Sequence, residues 1–467
     1  MAAIPPAGQL EREKASFRDP DGFVFVRDGV LYRQINQSGR ADYDLLMSSG
    51  LYQELIKNRQ LVAHTEVDVP AAAPELAYQV IRPEPVAFIS YPYEWSFSQL
   101  KDAALLTLAV QKTALEHGMI LKDASAYNVQ FLRGQPVLID TLSFTRYEPG
   151  TPWIGYRQYC QHFLAPLALM SLKDVRLAQL LRVYLDGIPL DLASELLPVR
   201  TRLPGGLYLH IHLHAQAQRK YAGQAVSAEG GRQISRMQLQ GLIESLEKNV
   251  TKLEWTPAGT SWADYDRQHN YTDQALLAKQ EIVHSCLSSA SPEVVWDLGA
   301  NTGLFSRIAA EKARQVIAFD FDPGAVELGY LHNREEGSQK ILTLLLDLTN
   351  PSPGIGWRNA ERQSLEARTQ ADLIMALALV HHLAIANNLP LVEIAEFFAA
   401  LGEWLVVEFV PKSDSQVQLL LASRKDIFPD YEEAGFEQAF LKVFDLVQKE
   451  RVPESERIIY LMRRKSG

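Results

Sequence analysis

Residues 294–306 read VVWDLGANTGLFS and combine one acidic side chain with two closely spaced glycines. The apolar run ends at Asp297, and Gly299 and Gly303 then mark a tight turn ahead of the helix-like sequence RIAAEKARQ. Glycine lacks a Cβ atom, so it suits a backbone that turns sharply or approaches a ligand. The pattern therefore predicts a strand, a glycine-rich turn and a helix that bind a nucleotide-like ligand. The spacing differs from the dinucleotide fingerprint and lacks the Gly-Lys-Ser/Thr of a phosphate loop.

This motif resembles the first motif of class I S-adenosylmethionine-dependent methyltransferases, in which an acidic residue precedes the glycines. The resemblance implies that S-adenosylmethionine is the cofactor. The implied cofactor-binding residues of the turn are Asp297, Gly299, Asn301 and Gly303. The alternative is a strand-to-helix turn that binds no ligand, because short glycine motifs also occur by chance.

A second acidic residue follows at the end of the next apolar run. In a doubly wound nucleotide-binding unit, an acidic residue about 20 positions beyond the first motif accepts the ribose hydroxyls. Asp320 fits this role because it ends the run VIAFD. Asp322 and Pro323 instead predict the start of the next helix, with Asp322 as its N-cap.

Two further regions are assigned through the resemblance. The run ILTLLLD ends at Asp347, where the family places a side chain near the adenine amine, although an aspartate in a solvated loop fits the sequence equally well. The run that starts at Asp372 predicts a fourth strand extending to His381 and His382, beside the expected methyl group. Because histidine titrates near neutral pH, His381 is a candidate general base. The alternative is a ring that packs against the adenosine or caps a helix.

These residues require a sheet that brings strand ends together. Five apolar runs predict strands and alternate with amphipathic stretches, at 292–297, 315–320, 341–347, 372–380 and 403–410. This alternation is typical of a parallel sheet with helices on both faces. The sequence therefore predicts an α/β fold for residues 265–467, with a doubly wound, mostly parallel, Rossmann-like methyltransferase domain.

The N-terminal half contains a second possible site. Asp123, Asn128 and Asp140 have the spacing of the lower lobe of protein-kinase-like folds, which this region resembles. The usual glycine-rich nucleotide loop is missing, and Arg33 is the nearest basic residue to the position of the phosphate-binding lysine. Three interpretations compete: a degenerate kinase-like scaffold that docks substrate, an active phosphotransferase, and a chance match. The first is favoured.

The predicted domain organisation has three parts. An α+β accessory, kinase-like domain spans 1–215, a connector with one docked helix spans 216–264, and the methyltransferase domain follows at 265–467. In the stretch LHIHLHAQ, His210, His212 and His214 would share one face of an extended segment. No cysteine or carboxylate cluster nearby completes a zinc set, so structural histidines are expected and no metal is predicted.

Composition limits the remaining choices. The chain has 467 residues, 47% of them hydrophobic, and is too long for one typical domain. Two cysteines cannot make a disulfide framework, and the opening sequence has no apolar signal segment, so a cytoplasmic protein without a membrane span is expected. The net charge of −10 disfavours nucleic acid as the partner.

As a whole, the chain resembles bacterial methyltransferases grouped with nodulation-associated proteins of the NoeA type. The matching stretches include DASAYNVQF, WIGYRQYCQHFLAPL and VEFVPKSDSQVQLLLASRKDIFPDY. The resemblance implies methyl transfer to an acceptor that the sequence does not identify. Two alternatives are a protein that binds S-adenosylmethionine without turnover, and phosphotransfer by the N-terminal half. Tyr265, Tyr271 and Lys279 precede the first strand and could form a lid over the cofactor or a packing helix.

Overall fold

The structure is a computed structural model, and it describes residues 10–216, 233–257, 272–422 and 425–465. The chain divides into two compact units. The N-terminal unit consists of Ala3–Thr256 and the short segment Ile355–Arg362, and the C-terminal unit contains Pro257–Gly354 and Gln363–Gly467. The chain therefore leaves the C-terminal unit after Gly354, contributes Ile355–Arg362 to the N-terminal unit, and returns to the C-terminal unit at Gln363.

The N-terminal unit is built on one five-stranded antiparallel sheet and two small antiparallel pairs. Its strands are β1 (Leu10–Arg12), β2 (Gly22–Arg27), β3 (Val30–Asn36), β4 (His64–Glu66), β5 (Ala77–Pro83), β6 (Met119–Leu121), β7 (Val129–Leu132), β8 (Gln135–Leu138) and β9 (Phe144–Arg146). The large sheet has the order β1-β2-β3-β5-β4, and the pairs are β6 with β9 and β7 with β8. The two pairs place the loops around 122–128 and 139–143 next to each other.

The longest helix of the N-terminal unit organises the rest of it. The helices are α1 (Arg40–Ser48), α2 (Leu51–Lys57), α3 (Phe97–Glu116), α4 (Tyr156–Tyr159), α5 (Ala165–Leu172), α6 (Leu180–Val183), α7 (Leu190–Leu196) and α8 (Arg236–Lys252). Helix α3 begins with a capping box, in which Ser96 and Gln99 exchange side chain to backbone hydrogen bonds. Helix α8, which the sequence predicted within the connector, packs on α3, and Lys112 forms an ion pair with Glu247 there.

The C-terminal unit contains a seven-stranded sheet with helices between its strands. Its elements are α9 (Asp273–Ala290), β10 (Val294–Leu298), α10 (Leu304–Lys312), β11 (Gln315–Asp320), α11 (Pro323–Glu335), β12 (Ile341–Leu345), β13 (Ala371–Ala376), α12 (Leu391–Leu401), β14 (Gly402–Phe409), α13 (Ser415–Ala422), α14 (Glu433–Phe440), β15 (Phe444–Arg451) and β16 (Ile458–Arg464). The sheet order is β12-β11-β10-β13-β14-β16-β15. Strands β10 to β14 are mutually parallel, and β16 is antiparallel to both of its neighbours.

The strand order fixes where a ligand can bind. The chain moves outward from β10 to β12 and then returns to start again beside β10 with β13, so the topological switch lies between β10 and β13. Ligands of doubly wound sheets bind outside the carboxyl ends of the strands at this point. The predicted fold class of the C-terminal half, a Rossmann-like, doubly wound α/β fold with a mostly parallel sheet, is confirmed. The kinase-like assignment of residues 1–215 stays a prediction.

One local prediction was wrong, and two other features were not predicted. The fourth strand ends at Ala376, short of His381 and His382, because the apolar run continues into a turn and a one-turn π-helix. The C-terminal hairpin β15–β16 was not predicted. The stretch around His210 is helical rather than extended, since Tyr208–Leu213 forms a π-helical turn. Among the residues that the structure describes, no helix is long and apolar enough to cross a membrane.

Candidate functional site

The glycine-rich turn after β10 has left-handed backbone at both of its glycines. Gly299 and Gly303 have φ values of 77° and 88°, and Asn301 has a φ of 50°. The backbone N–H groups of Gly299 and Ala300 both donate to the carbonyl of Phe319, each at 2.9 Å. Gly303 is the N-cap of α10. The turn therefore lies against the end of β11, at the switch point of the sheet.

Asp297 supports the turn from inside the protein. Its carboxylate is buried and accepts a hydrogen bond of 2.6 Å from the Ser306 hydroxyl on α10. Burial raises the pKa of Asp297 to about 7, while the Ser306 hydrogen bond acts in the opposite direction. Asp297 thus links β10, which precedes the turn, to α10, which follows it. Its assignment to the cofactor stays a prediction.

Asp320 ends β11 directly beside the turn. One carboxylate oxygen accepts the backbone N–H of Asn301 at 2.8 Å, and the other accepts that of Asp322 at 2.9 Å. Burial raises the pKa of Asp320 to about 6, and these backbone hydrogen bonds oppose the shift. Asp322 caps α11, as predicted, by accepting the Gly324 N–H at 2.7 Å. The two neighbouring aspartates therefore have different roles, and only Asp320 contacts the turn.

Asp347 lies two residues beyond the end of β12 and is exposed. Its carboxylate accepts the backbone N–H and the hydroxyl of Thr349, at 2.8 and 2.7 Å. This is the solvated-loop geometry that the sequence left open. Because β12 is parallel to β11, Asp347 lies at the same edge of the sheet as Asp320. A role near a bound adenine stays a prediction.

His381 and His382 follow the turn after β13. Their ring centroids are 4.1 Å apart, and the His381 side chain is buried, with no hydrogen-bond partner on Nδ1. Burial lowers the pKa of His381 well below its usual value and lowers the pKa of His382 to about 4. Both rings are therefore neutral at physiological pH. His381 can accept or donate one hydrogen bond at Nδ1, depending on its tautomer.

A buried ion network at the end of β14 was not predicted. Glu408 accepts a hydrogen bond of 2.7 Å from Lys279 on α9, and both side chains are buried. The guanidinium of Arg457 lies 3.7 Å from Glu408 and donates to Asp414 at 2.7 Å. Lys279 is thus a core residue rather than part of a lid, and Tyr265 and Tyr271 lie outside the described residues. The sequence signal was a glutamate inside the apolar run LVVEFV.

The structure also brings together the acidic residues of the N-terminal unit. Asp140 forms an ion pair of 2.6 Å with Arg33 and accepts the Ser143 hydroxyl at 2.5 Å. Asn128 donates to the same hydroxyl at 3.1 Å. Asp123 accepts a hydrogen bond of 2.7 Å from Gln158. The predicted residues therefore lie in one cluster, and its carboxylates are held by side chains of the unit itself.

Two of the three histidines near residue 210 have hydrogen-bond partners in the described structure. His210 bonds to the Tyr156 hydroxyl at 2.8 Å and to Ser245 at 2.9 Å. His212 lies between the hydroxyls of Ser194 and Thr201, at 2.7 and 2.8 Å. Within the described residues, no group of three or more His, Cys, Asp or Glu could hold a metal ion. These hydrogen bonds account for two of the histidines without a ligand.

Comparison with known proteins identifies the family. No protein-family model matches the sequence. The nodulation protein NoeA of Rhizobium meliloti (strain 1021) is 35% identical over 482 residues, which cover 99% of this chain and 98% of NoeA. The chain belongs to the NoeA family. The predicted NoeA-like membership is confirmed, and the similarity includes both units rather than the C-terminal one alone.

Two of the solved structures that are similar to part of this NoeA-family protein are methyltransferases. The N-methyltransferase NodS from Bradyrhizobium japonicum WM9 covers 42% of this chain and 98% of its own, with 11% identity and a TM-score of 0.32. Magnesium protoporphyrin IX methyltransferase from Synechocystis PCC 6803, with bound S-adenosylhomocysteine, covers 44% and 95%, with 17% identity and a TM-score of 0.31.

Proposed function

We propose that the C-terminal unit binds S-adenosylmethionine at the turn 299–303 and transfers its methyl group to a small molecule, a glycan or a protein. The observation that carries this proposal is the buried carboxylate of Asp320, which contacts the turn at the switch point of the sheet. Among the described residues this carboxylate forms no ion pair, so it suits a ligand that donates hydrogen bonds. The two hydroxyls of a ribose are such donors.

The residues around the turn fit the cofactor. The two oxygens of Asp320 accept the backbone N–H groups of Asn301, Asp322 and Phe321, and a carboxylate with about four acceptor positions can accept a further donor. A Cβ atom on Gly299 would lie 3.4 Å from the Leu379 side chain, so the glycine leaves the space between the turn and Leu379 open. Asp347, at the same edge of the sheet, has carboxylate oxygens suited to an adenine amine. Asp297 acts through Ser306 by fixing the start of α10.

The bound cofactor would supply an activated methyl group on a sulfonium. The protein then has to hold the acceptor in line with that group and keep water away. His381 is the candidate for the acceptor side, because its buried Nδ1 has no partner within the described structure. Since burial keeps the ring neutral by lowering its pKa, His381 suits orientation of an acceptor by one hydrogen bond. Proton removal is needed only for acceptors such as hydroxyls.

The N-terminal unit is assigned a role in choosing the acceptor. The carboxylates of its acidic cluster already have side-chain partners, in particular Arg33 on Asp140, which favours a scaffold over a phosphotransferase. We also propose a cytoplasmic location. Both cysteines, Cys160 and Cys286, are free and buried, as suits a reducing compartment.

The proposal is tested by calorimetry with S-adenosylhomocysteine on Gly299→Asp and Gly337→Asp. Both glycines belong to the C-terminal unit and have positive φ, 77° and 65°, but a Cβ on Gly337 meets nothing within 4 Å. We expect Gly299→Asp to abolish binding, because a charged side chain enters the cradle, which is the space beside the turn 299–303 where we propose that the cofactor binds. We expect Gly337→Asp to bind as the wild type does. Unchanged affinity in a folded Gly299→Asp protein would show that the turn is not the cofactor site.

Turnover separates an enzyme from a sensor that binds the same cofactor. The wild-type protein is incubated with methyl-labelled S-adenosylmethionine and a lysate of its source, and labelled products are sought by mass spectrometry. We expect a labelled species that is absent with Gly299→Asp. Cofactor binding without any labelled species would favour the sensor.

A further inference from the structure

The turn Leu377–Leu379, between β13 and the π-helix, lies in the cofactor crevice of the proposed function. Ala378 in this turn has a φ of 50°, a left-handed conformation that side chains with a Cβ atom adopt only at a cost. The next residue, Leu379, lies against Gly299 and so forms one wall of the cradle. The position of this wall depends on what holds Ala378 in its unusual conformation.

The holding contact comes from the end of β14. The backbone N–H of Ala378 donates to Glu408 Oε2 at 2.7 Å. The same oxygen accepts the ammonium of Lys279 at 2.7 Å, and Arg457 lies 3.7 Å from the other oxygen. Two cations thus fix one carboxylate, which in turn fixes a backbone amide in the adjacent loop.

This arrangement differs from a purely structural ion pair. Glu408 and Lys279 are both buried, so their desolvation is costly, and apolar side chains of similar volume often stabilise a core as well or better. An apolar side chain at position 408 cannot accept the Ala378 N–H. The acceptor function is therefore the property that a glutamate supplies and a well-packed leucine does not.

We propose that Glu408, oriented by Lys279 and Arg457, is a positioning residue that holds the turn Leu377–Leu379 in the conformation that binds the cofactor. The inference rests on the proposed function for its binding consequence. Its structural core, control of the turn by Glu408, is independent of any ligand. The same turn leads directly into the segment that contains His381, so Glu408 also holds the start of the segment that we propose contacts the acceptor.

The test compares two double variants that remove the charge pair in the same way. In Lys279→Met/Glu408→Gln an amide oxygen at 408 can still accept the Ala378 N–H, whereas in Lys279→Met/Glu408→Leu nothing at that position can. We expect the affinity for S-adenosylhomocysteine, measured by calorimetry, to be about tenfold weaker in the leucine variant than in the glutamine variant. Equal affinities would overturn the proposal.

A control separates positioning from general loss of stability. Val406→Ala removes a buried side chain two residues earlier on β14, in the cluster that also contains Val283 of α9. We expect it to lower the melting temperature without weakening S-adenosylhomocysteine binding. If Val406→Ala weakens binding as much as the leucine variant does, the effect is one of stability and the proposal is wrong.

A ligand-free measurement keeps the inference apart from the proposed function. Hydrogen–deuterium exchange is followed at the Ala378 amide in the wild type, and over residues 377–382 in the variants that fold. We expect slow exchange at Ala378 in the wild type, and faster exchange over 377–382 in the leucine variant than in Val406→Ala. Fast wild-type exchange at Ala378 would refute positioning by Glu408 even if no variant folds. Failure of the wild type to bind S-adenosylhomocysteine would instead refute the proposed function.

Discussion

The raised pKa of Asp320 predicts how cofactor binding depends on pH. In the ligand-free protein burial brings this pKa to about 6, so the carboxylate is largely ionised at pH 7 and largely protonated at pH 5. Only the ionised form accepts two ribose hydroxyls with both oxygens available, because in the neutral form one oxygen carries a proton. Binding therefore favours the ionised form, and affinity for S-adenosylhomocysteine must rise from pH 5 to pH 7 and level off above it.

The size of the effect follows from the same pKa. With a free-state pKa about one unit above pH 5, about one molecule in eleven is ionised, so affinity should be roughly elevenfold weaker than at high pH, or about 1.4 kcal/mol. At pH 7 the loss is only about 10%. Calorimetry at pH 5, 6, 7 and 8 in buffers of equal ionic strength measures the curve. The midpoint should lie near pH 6.

Two variants identify the carboxylate responsible. Asp320→Asn should bind more weakly at every pH and lose the pH dependence between 5 and 7. Asp297→Asn removes the buried carboxylate on β10, whose pKa is about 7, while an amide oxygen can still accept the Ser306 hydroxyl. It should therefore keep the dependence centred near pH 6. A curve that disappears in Asp297→Asn and persists in Asp320→Asn would refute the assignment of the ribose to Asp320.

Three further outcomes are expected. Millimolar ATP with magnesium should not raise the melting temperature of the wild type or of Asp140→Ala, because Arg33 already pairs with Asp140; a shift confined to the wild type would indicate a nucleotide site. His381→Ala should lower methyl transfer to an acceptor, once found, while binding of S-adenosylhomocysteine changes less than threefold, and equal losses in both would place the ring at the cofactor instead. Arg18 donates two hydrogen bonds to Glu361, at 2.6 and 3.0 Å, and lowers the pKa of Glu361. Because Arg18 is largely exposed, this pair should add about 1 kcal/mol of stability, which is present above the unfolded pKa of Glu361 and is lost as the pH falls through the lower folded pKa. Thermal melts of Glu361→Gln should show no such loss.

The turn and Asp320 could be predicted because their signal is local in sequence. Glycines at two positions that need φ near 80°, and an acidic residue at the end of the next apolar run, lie within about 25 residues and follow from backbone sterics and strand spacing. The end of the fourth strand could not be predicted in this way. The run ADLIMALALV stays apolar after pairing stops at Ala376, because Leu377 and Val380 are buried in the turn and π-helix that follow.

Long-range contacts were beyond the reach of sequence patterns. Lys279 and Glu408 are 129 positions apart, so the residues next to either one in the sequence do not indicate that the two form a pair. The same is true of Ile355–Arg362, which belongs to the N-terminal unit although the flanking residues belong to the other one. Its polar sequence is typical of an ordinary loop between two strands. Only contacts such as that between Glu361 and Arg18 reveal where it packs.

The two acidic sites of this protein differ in what their carboxylates still lack. In the N-terminal unit Asp140 faces a guanidinium and Asp21 forms an ion pair with Lys122, while Asp123 accepts a hydrogen bond from the Gln158 amide and burial raises its pKa. Within the described residues Asp320 accepts backbone N–H groups of Asn301 in the turn and of Asp322 and Phe321 just after it, and its raised pKa reflects burial that no ion pair there offsets. A ligand that brings neutral donors improves the second site and would have to displace existing partners in the first. This difference is why we propose cofactor binding at Asp320 and a scaffold role for the acidic cluster of the N-terminal unit.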